Sequence, residues 1–163
     1  MCAADFVLYE EEFKQLEEAL RRLRQEANAK AVFLIDKNGQ QIASAGEVDQ
    51  FDTTSLASLT AGNVAATDGL AKLIGEREFS VLFHVGQQDH IHISIVAKRA
   101  ILVVIFDDRS SLGLVRLRVK RASVDLEKIF EVMAQKGERG AGPAHASPFS
   151  EITDDDIDAL FGE

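Results

Sequence analysis

Thr53–Gly75 reads TTSLASLTAGNVAATDGLAKLIG, and the rest of the chain is organised around it. On a helical wheel Leu56, Leu59, Ala66, Leu70, Leu73 and Ile74 share one broad arc, the apolar stripe that a core-facing helix carries. A second stripe of Ser58, Gly62, Ala65 and Gly69 runs beside it, at spacings of four, three and four. Each glycine inside a helix costs roughly 1 kcal/mol against alanine. Two on one line imply a surface kept low so that something can lie close. Two occupants remain open: a neighbouring element of the same subunit, or another chain.

Upstream, residues 10–29 carry Phe13, Leu16, Leu20, Leu23 and Ala27 at helical spacing, with Glu10, Glu11 and Glu12 where the helix dipole favours acids. Ala31–Ile35 is an apolar run that suits a strand covered on both faces, and Asp36-Lys-Asn-Gly39 supplies an Asn-Gly turn. Gln41–Ala45 returns as its partner, and Asp52, Thr53 and Thr54 are caps for the central helix. Downstream the period changes to that of strands. Val81–Val85, a Gly86-containing turn, His90–Ala97, a tight turn at Lys98-Arg99 and Ala100–Phe106 form a meander. A last helix over Leu112–Gln135 has Leu112, Val115, Val119, Ala122, Leu126, Ile129, Phe130 and Met133 as its core stripe.

Strands apolar on both faces need helices on both sides. The expected fold class is therefore α/β, a three-layer sandwich of five mostly antiparallel strands and three helices, with Val81–Val85 as an open edge wanting a partner. Residues 137–148 are rich in Gly, Ala, Pro and Ser and read as a flexible linker. Residues 149–163 read as an acidic amphipathic helix, capped by Thr153, with Ile157, Leu160 and Phe161 on one face. Eight or so residues are marginal as an isolated helix, so this segment is expected to order only on a groove.

Composition narrows the function classes. With 163 residues and 46% hydrophobic content, one globular domain with a real core is expected. The balance of 27 acidic against 18 basic side chains, net −9, argues against a nucleic-acid binder. Cys2 is the single cysteine and has no internal disulfide partner. No apolar run approaches the roughly 20 residues of a membrane span, no signal peptide is visible, and Cys2 stands where N-myristoylation needs glycine. A cytoplasmic protein without membrane attachment is expected.

Catalytic signatures are missing: there is no GxxxxGK[ST] loop, no nucleophile elbow and no HExxH. His84, His90 and His92 lie close in the strand meander, but without a nearby cysteine or a definite carboxylate they read as a polar strand face and not as a zinc site. Asp154–Asp158 lacks the glycine and glutamate of a calcium loop. No metal, cofactor or catalytic residue is therefore assigned. Arg109, Arg116, Arg118, Lys120 and Arg121 form one cationic cluster, read either as a solvated helix face or as a surface for an acidic partner or tail. An arginine finger at Arg109 is conceivable, though no spacing marks it.

The stretches TTSLASLTAGNVAA, GLAKLIGE, LVVIFDDRSSLGLVRLR and ITDDDIDALF resemble the MglB family of roadblock-type proteins, over about Tyr9 to Phe161 apart from the linker. The resemblance implies a roadblock-type domain over residues 1–136, with one helix on one sheet face and two on the other. It also implies a homodimer joined by sheet edges and central helices. The implied activity is acceleration of GTP hydrolysis by a small Ras-like GTPase of the MglA type, which itself holds GTP and Mg. The catalytic groups would be the GTPase's own, repositioned by the docked dimer, in a setting of cell polarity and gliding motility with concentration at a cell pole. Carried onto this sequence, the partner surface would comprise Lys14, Gln15, Gly62, Ala65, Gly69 and Arg121. Phe149, Ile152, Ile157, Leu160 and Phe161 would form a C-terminal docking helix that tunes hydrolysis and nucleotide exchange. A roadblock-type scaffold that binds a GTPase without changing its rate is the competing reading, and an enzyme using the histidines is a third.

Overall fold

The computed structural model describes residues 9–140. Its elements in chain order are α1 (Glu10–Glu26), β1 (Ala31–Asp36), β2 (Gln41–Gly46), α2 (Thr53–Leu73), β3 (Val81–Val85), β4 (His90–Val96), β5 (Ala100–Phe106) and α3 (Leu112–Gly140). The strands form one sheet in the order β2-β1-β5-β4-β3, and every neighbouring pair is antiparallel. The fold expected from the sequence is the one observed.

The two most apolar strands, β1 and β5, lie next to each other inside the sheet and pair from Ala31↔Ile105 to Asp36↔Ala100. Because side chains alternate across a strand, their apolar residues divide between two cores. Val32, Leu34, Leu102, Val104 and Phe106 pack with Leu16, Leu20 and Leu23 of α1 and Val115, Leu126 and Phe130 of α3. On the other face Phe33, Ile35, Ile101, Val103 and Ile105 pack with Ala57, Ala61 and Val64 of α2. Thus α1 and α3 share one layer, and α2 alone covers the other.

α2 corrects the sequence reading. The residues it buries are Ala57, Thr60, Ala61, Val64 and Ala71. Leu56 is half-buried, whereas Leu59, Ala66, Leu70, Leu73 and Ile74 face outward. Close approach explains the inversion. The β1–β2 turn is pinned by Asp36 Oδ1, which accepts from the amides of Asn38 and Gln40 at 2.9 Å each. Gly39 in that turn has φ +91°, and a Cβ there would stand 3.3 Å from the Ser58 Cα. Small side chains let α2 settle this low; leucines beneath it would hold it off.

Two boundaries also differ. The β4–β5 turn is centred on Ala97 (φ 54°) and Lys98 (φ 60°), one residue before the expected Lys98-Arg99. α3 continues to Gly140, four residues into the stretch 137–148 expected as linker. Its far end is held against the start of α1: Lys136 pairs with Glu12, and a Cβ at Gly137 would meet the Tyr9 hydroxyl at 3.1 Å. The remainder of that linker and residues 149–163 lie outside the described residues.

Glu12 is only 2% exposed, and its second oxygen, Oε2, has no hydrogen-bond partner. The hydrogen bond from Lys136 holds its carboxyl below the usual carboxylate range, against burial, which pushes the other way. A depressed folded pKa stabilises the fold above the unfolded value of about 4.3, and this contribution is lost as pH falls through the folded value. Lys136→Met would strand the buried carboxylate. The expected cost at pH 7 is about 1–3 kcal/mol, toward the lower end because Lys136 remains partly solvated. Urea denaturation at pH 7 and at stepwise lower pH checks this: the variant's deficit should shrink as Glu12 is protonated.

Candidate partner interface

α2 begins at Asp52, whose carboxylate accepts from the Ser55 amide at 3.2 Å and the Ser55 hydroxyl at 2.7 Å. Those hydrogen bonds, the hydroxyl's first, hold the Asp52 carboxyl below its ordinary range. From there the helix presents two adjoining strips to solvent. One is a leucine ridge: Leu59 is 74% exposed and Leu73 83%, with Leu70 and Ile74 also exposed. The other is the small-residue strip of Ser58, Gly62, Ala65 and Gly69, all exposed. A Cβ added at Gly62 or Gly69 would meet nothing within 4 Å. Of the two occupants that the sequence left open, the first is not found: among the described residues no element of the subunit lies against these glycines.

The edge strand adjoins this surface. β3 pairs with β4 on one side only, and its Val81 and Val85 are exposed. Asn63 Nδ2 on α2 lies 3.2 Å from His84 Nε2 on β3, so the helix face and the strand edge are coupled by a polar contact. A ridge of large apolar side chains, a low strip and an unpaired backbone edge together suit association with another chain far better than catalysis.

The other residues singled out from sequence are dispersed. Gly62, Ala65 and Gly69 share the α2 face, but Lys14 and Gln15 on α1 and Arg121 on α3 belong to the opposite layer. Lys14 is exposed and pairs with Glu10 at 3.7 Å. Gln15 is exposed as well. Arg121 borders a cavity of about 210 Å³ between α1 and α3, beside Arg22, Glu26 and Asp125. Phe149, Ile152, Ile157, Leu160 and Phe161 lie outside the described residues.

The histidines do not converge. β3 is registered with His84 opposite Ile91 and Phe83 opposite His92. His84 therefore sits on the α2 face, while His90 and His92 sit on the other. Among the described residues no group of three His, Cys, Asp or Glu is arranged to hold a metal. Arg109 is engaged within its own loop, forking onto Asp107 at 3.0 Å through both Nε and Nη2. That hydrogen bonding raises the Arg109 pKa and lowers that of Asp107. No helix among the described residues is long and apolar enough to cross a membrane.

The sequence reading missed the outward leucines. The available signal was a competing stripe, Ala57, Thr60, Ala61, Val64 and Ala71, on a helix that is apolar on more than one side. Ranking the faces of such a wheel by side-chain size selects the wrong one.

Comparison with known proteins agrees with this architecture. Residues 15–106 match the model of the Roadblock/LC7 domain. A search of curated protein sequences finds no match. Among solved structures, Myxococcus xanthus MglB is 62% identical, with a TM-score of 0.74, covering 77% of this chain and 94% of that one. The gliding protein MglB of Thermus thermophilus is 35% identical, with a TM-score of 0.70, covering 74% of this chain and 91% of that one. A further structure, described as MglB with tetrameric arrangement, is 33% identical with a TM-score of 0.70 and covers 75% of this chain and 92% of its own. The five-stranded sheet with its divided helices and the sequence identity lead to one family: the chain belongs to the Roadblock/LC7 domain proteins, among the MglB members.

Proposed function

We propose that this protein is a homodimeric regulator of a small Ras-like GTPase of the MglA type, stimulating GTP hydrolysis without contributing a catalytic residue. The observation that carries the reading is the outward face of α2, an exposed leucine ridge beside a glycine strip, continuous with the free edge of β3. Across a two-fold axis, β3 edges would pair backbone to backbone and the leucines would meet their copies. The low strip of Gly62, Ala65 and Gly69 would be left as a shallow seat for the GTPase. GTP and Mg belong to the partner, and the docked dimer acts by fixing the position of the GTPase's own catalytic groups. Lys14, Gln15 and Arg121 lie on the other layer, so any contact they make is with a different part of the assembly. The segment with Phe149, Ile152, Ile157, Leu160 and Phe161 is assigned to a second contact that tunes hydrolysis and exchange. The setting is cytoplasmic, at a cell pole, in polarity and gliding motility. The competing scaffold reading shares the dimer and differs only in leaving the hydrolysis rate unchanged.

Three measurements test these assignments. Sedimentation at micromolar concentration should give a species near twice the 17.9 kDa chain mass. Its interface should bury at least about 1,000 Å², and Leu59→Glu with Leu73→Glu should yield a monomer of unchanged circular dichroism. A GTP-hydrolysis assay with the cognate GTPase should show stimulation by the native chain. That stimulation should fall to the unstimulated rate with Ala65→Arg or Gly69→Arg, both of which should keep the native fold. No stimulation by the native chain, with binding intact, would establish the scaffold reading instead. Deleting residues 149–163 should leave the dimer whole and weaken GTPase binding, read by calorimetry.

A further inference from the structure

On the sheet face opposite α2's own layer, β4 and the start of β3 leave a groove against α3. It encloses about 410 Å³, within the range of small-molecule sites. His92 and Ser94 of β4 line it and are only 2% and 5% exposed. His92 Nδ1 and Ser94 Oγ have no hydrogen-bond partner. Buried polar atoms are nearly always satisfied, so two orphans in one groove call for a partner beyond the described residues. Arg116 and Lys120, one turn apart on α3, line the same groove. Neither forms an ion pair with a described residue.

We propose that this groove binds a small oxyanion, a phosphate or carboxylate group carried on a compact apolar body. Arg116 offers a planar fork and Lys120 a point charge, the usual pair for such a group. The Ser94 hydroxyl donates, and so does His92 in the tautomer that protonates Nδ1. Burial first, and then the Arg116 charge, hold the His92 pKa below its ordinary value, so the ring is a neutral donor that does not need to ionise. Val81, Val119 and Val124 supply the apolar wall. Glu127 lines the groove about 10 Å along the helix from Lys120. A carboxylate at that end repels an anion and orients the ligand with its charged group toward Arg116.

The test is an NMR titration of the full chain, without any GTPase, using phenyl phosphate and benzoate at constant ionic strength. Saturable shifts at Ser94, Arg116, Lys120 and the His92 ring are expected, and the tighter probe identifies the preferred oxyanion. Arg116→Ala with Lys120→Ala, both exposed and so compatible with folding, should weaken binding at least about tenfold. Ser94→Ala should weaken it several-fold, and Lys37→Ala should not change it. Shifts that never saturate, or that survive loss of Arg116 and Lys120, would overturn the proposal. So would binding seen only in a full chain carrying Asp154→Asn, Asp155→Asn and Asp156→Asn, because the chain's own acidic segment would then be the occupant.

Discussion

Everything in this molecule follows from a pair of strands that cannot face water on either side. Ala100–Phe106 is buried along its whole length, and Ala31–Ile35 beside it is fully buried too. Side chains alternate across a strand, so a run of this kind presents apolar groups to both faces, and both must be covered. That requirement sets the three layers, places α1 with α3 on one side, and leaves α2 to close the other. It also fixes where polarity returns: away from the centre, along β4, histidine and serine appear on the α3 face, and β3 ends the sheet with valines exposed.

The two helix layers do their covering differently. α1 and α3 use leucine, valine and phenylalanine, with ion pairs at both ends of the contact, Glu12 with Lys136 and Glu26 with Arg118. α2 uses alanine, threonine and valine, and lies close enough for Gly39 to touch Ser58. A helix seated on small residues buries little of its own bulk. Its large side chains are therefore available elsewhere, and here they stand in solvent as a ridge. The exposed ridge is thus a by-product of how the core on that side is built.

Most of the fold was legible in the sequence because its signals are local. Apolar runs bounded by an Asn-Gly turn and a glycine turn located the strands, and the stripes of α1 and α3 named residues that are buried. The orientation of α2 was not legible. Its helical wheel has apolar residues on more than one side, and the choice between them depends on how near the sheet lies, which is a tertiary distance. For the same reason the small strip was expected to lie against something while its neighbours were assigned to the core, and it is the neighbours' assignment that the structure reverses. Gly62, Ala65 and Gly69 hold together as a surface; Lys14, Gln15 and Arg121, carried over by resemblance, are separated from it by the sheet. The buried orphans His92 and Ser94 were beyond sequence reasoning, because a strand pattern does not say which polar atoms find partners. The extension of α3 to Gly140 was hidden by composition: a glycine ordinarily ends a helix, but Gly137 continues it where Tyr9 leaves little room for a side chain.

The strand order has a consequence for how the chain acquires its shape during synthesis. β1 is flanked by β2, its neighbour in sequence, and by β5, with which Asp36 pairs at Ala100. One edge of the most apolar hairpin partner therefore stays open until more than sixty further residues have been made. At translation speeds of about 5–20 residues per second, that interval lasts on the order of 3–13 s. The β3–β4–β5 meander, by contrast, closes through neighbouring turns and can form as soon as it emerges. The nascent protein thus passes through a stage in which its N-terminal hairpin waits, with an exposed hydrophobic edge, for the β3–β4–β5 meander to dock on it through β5.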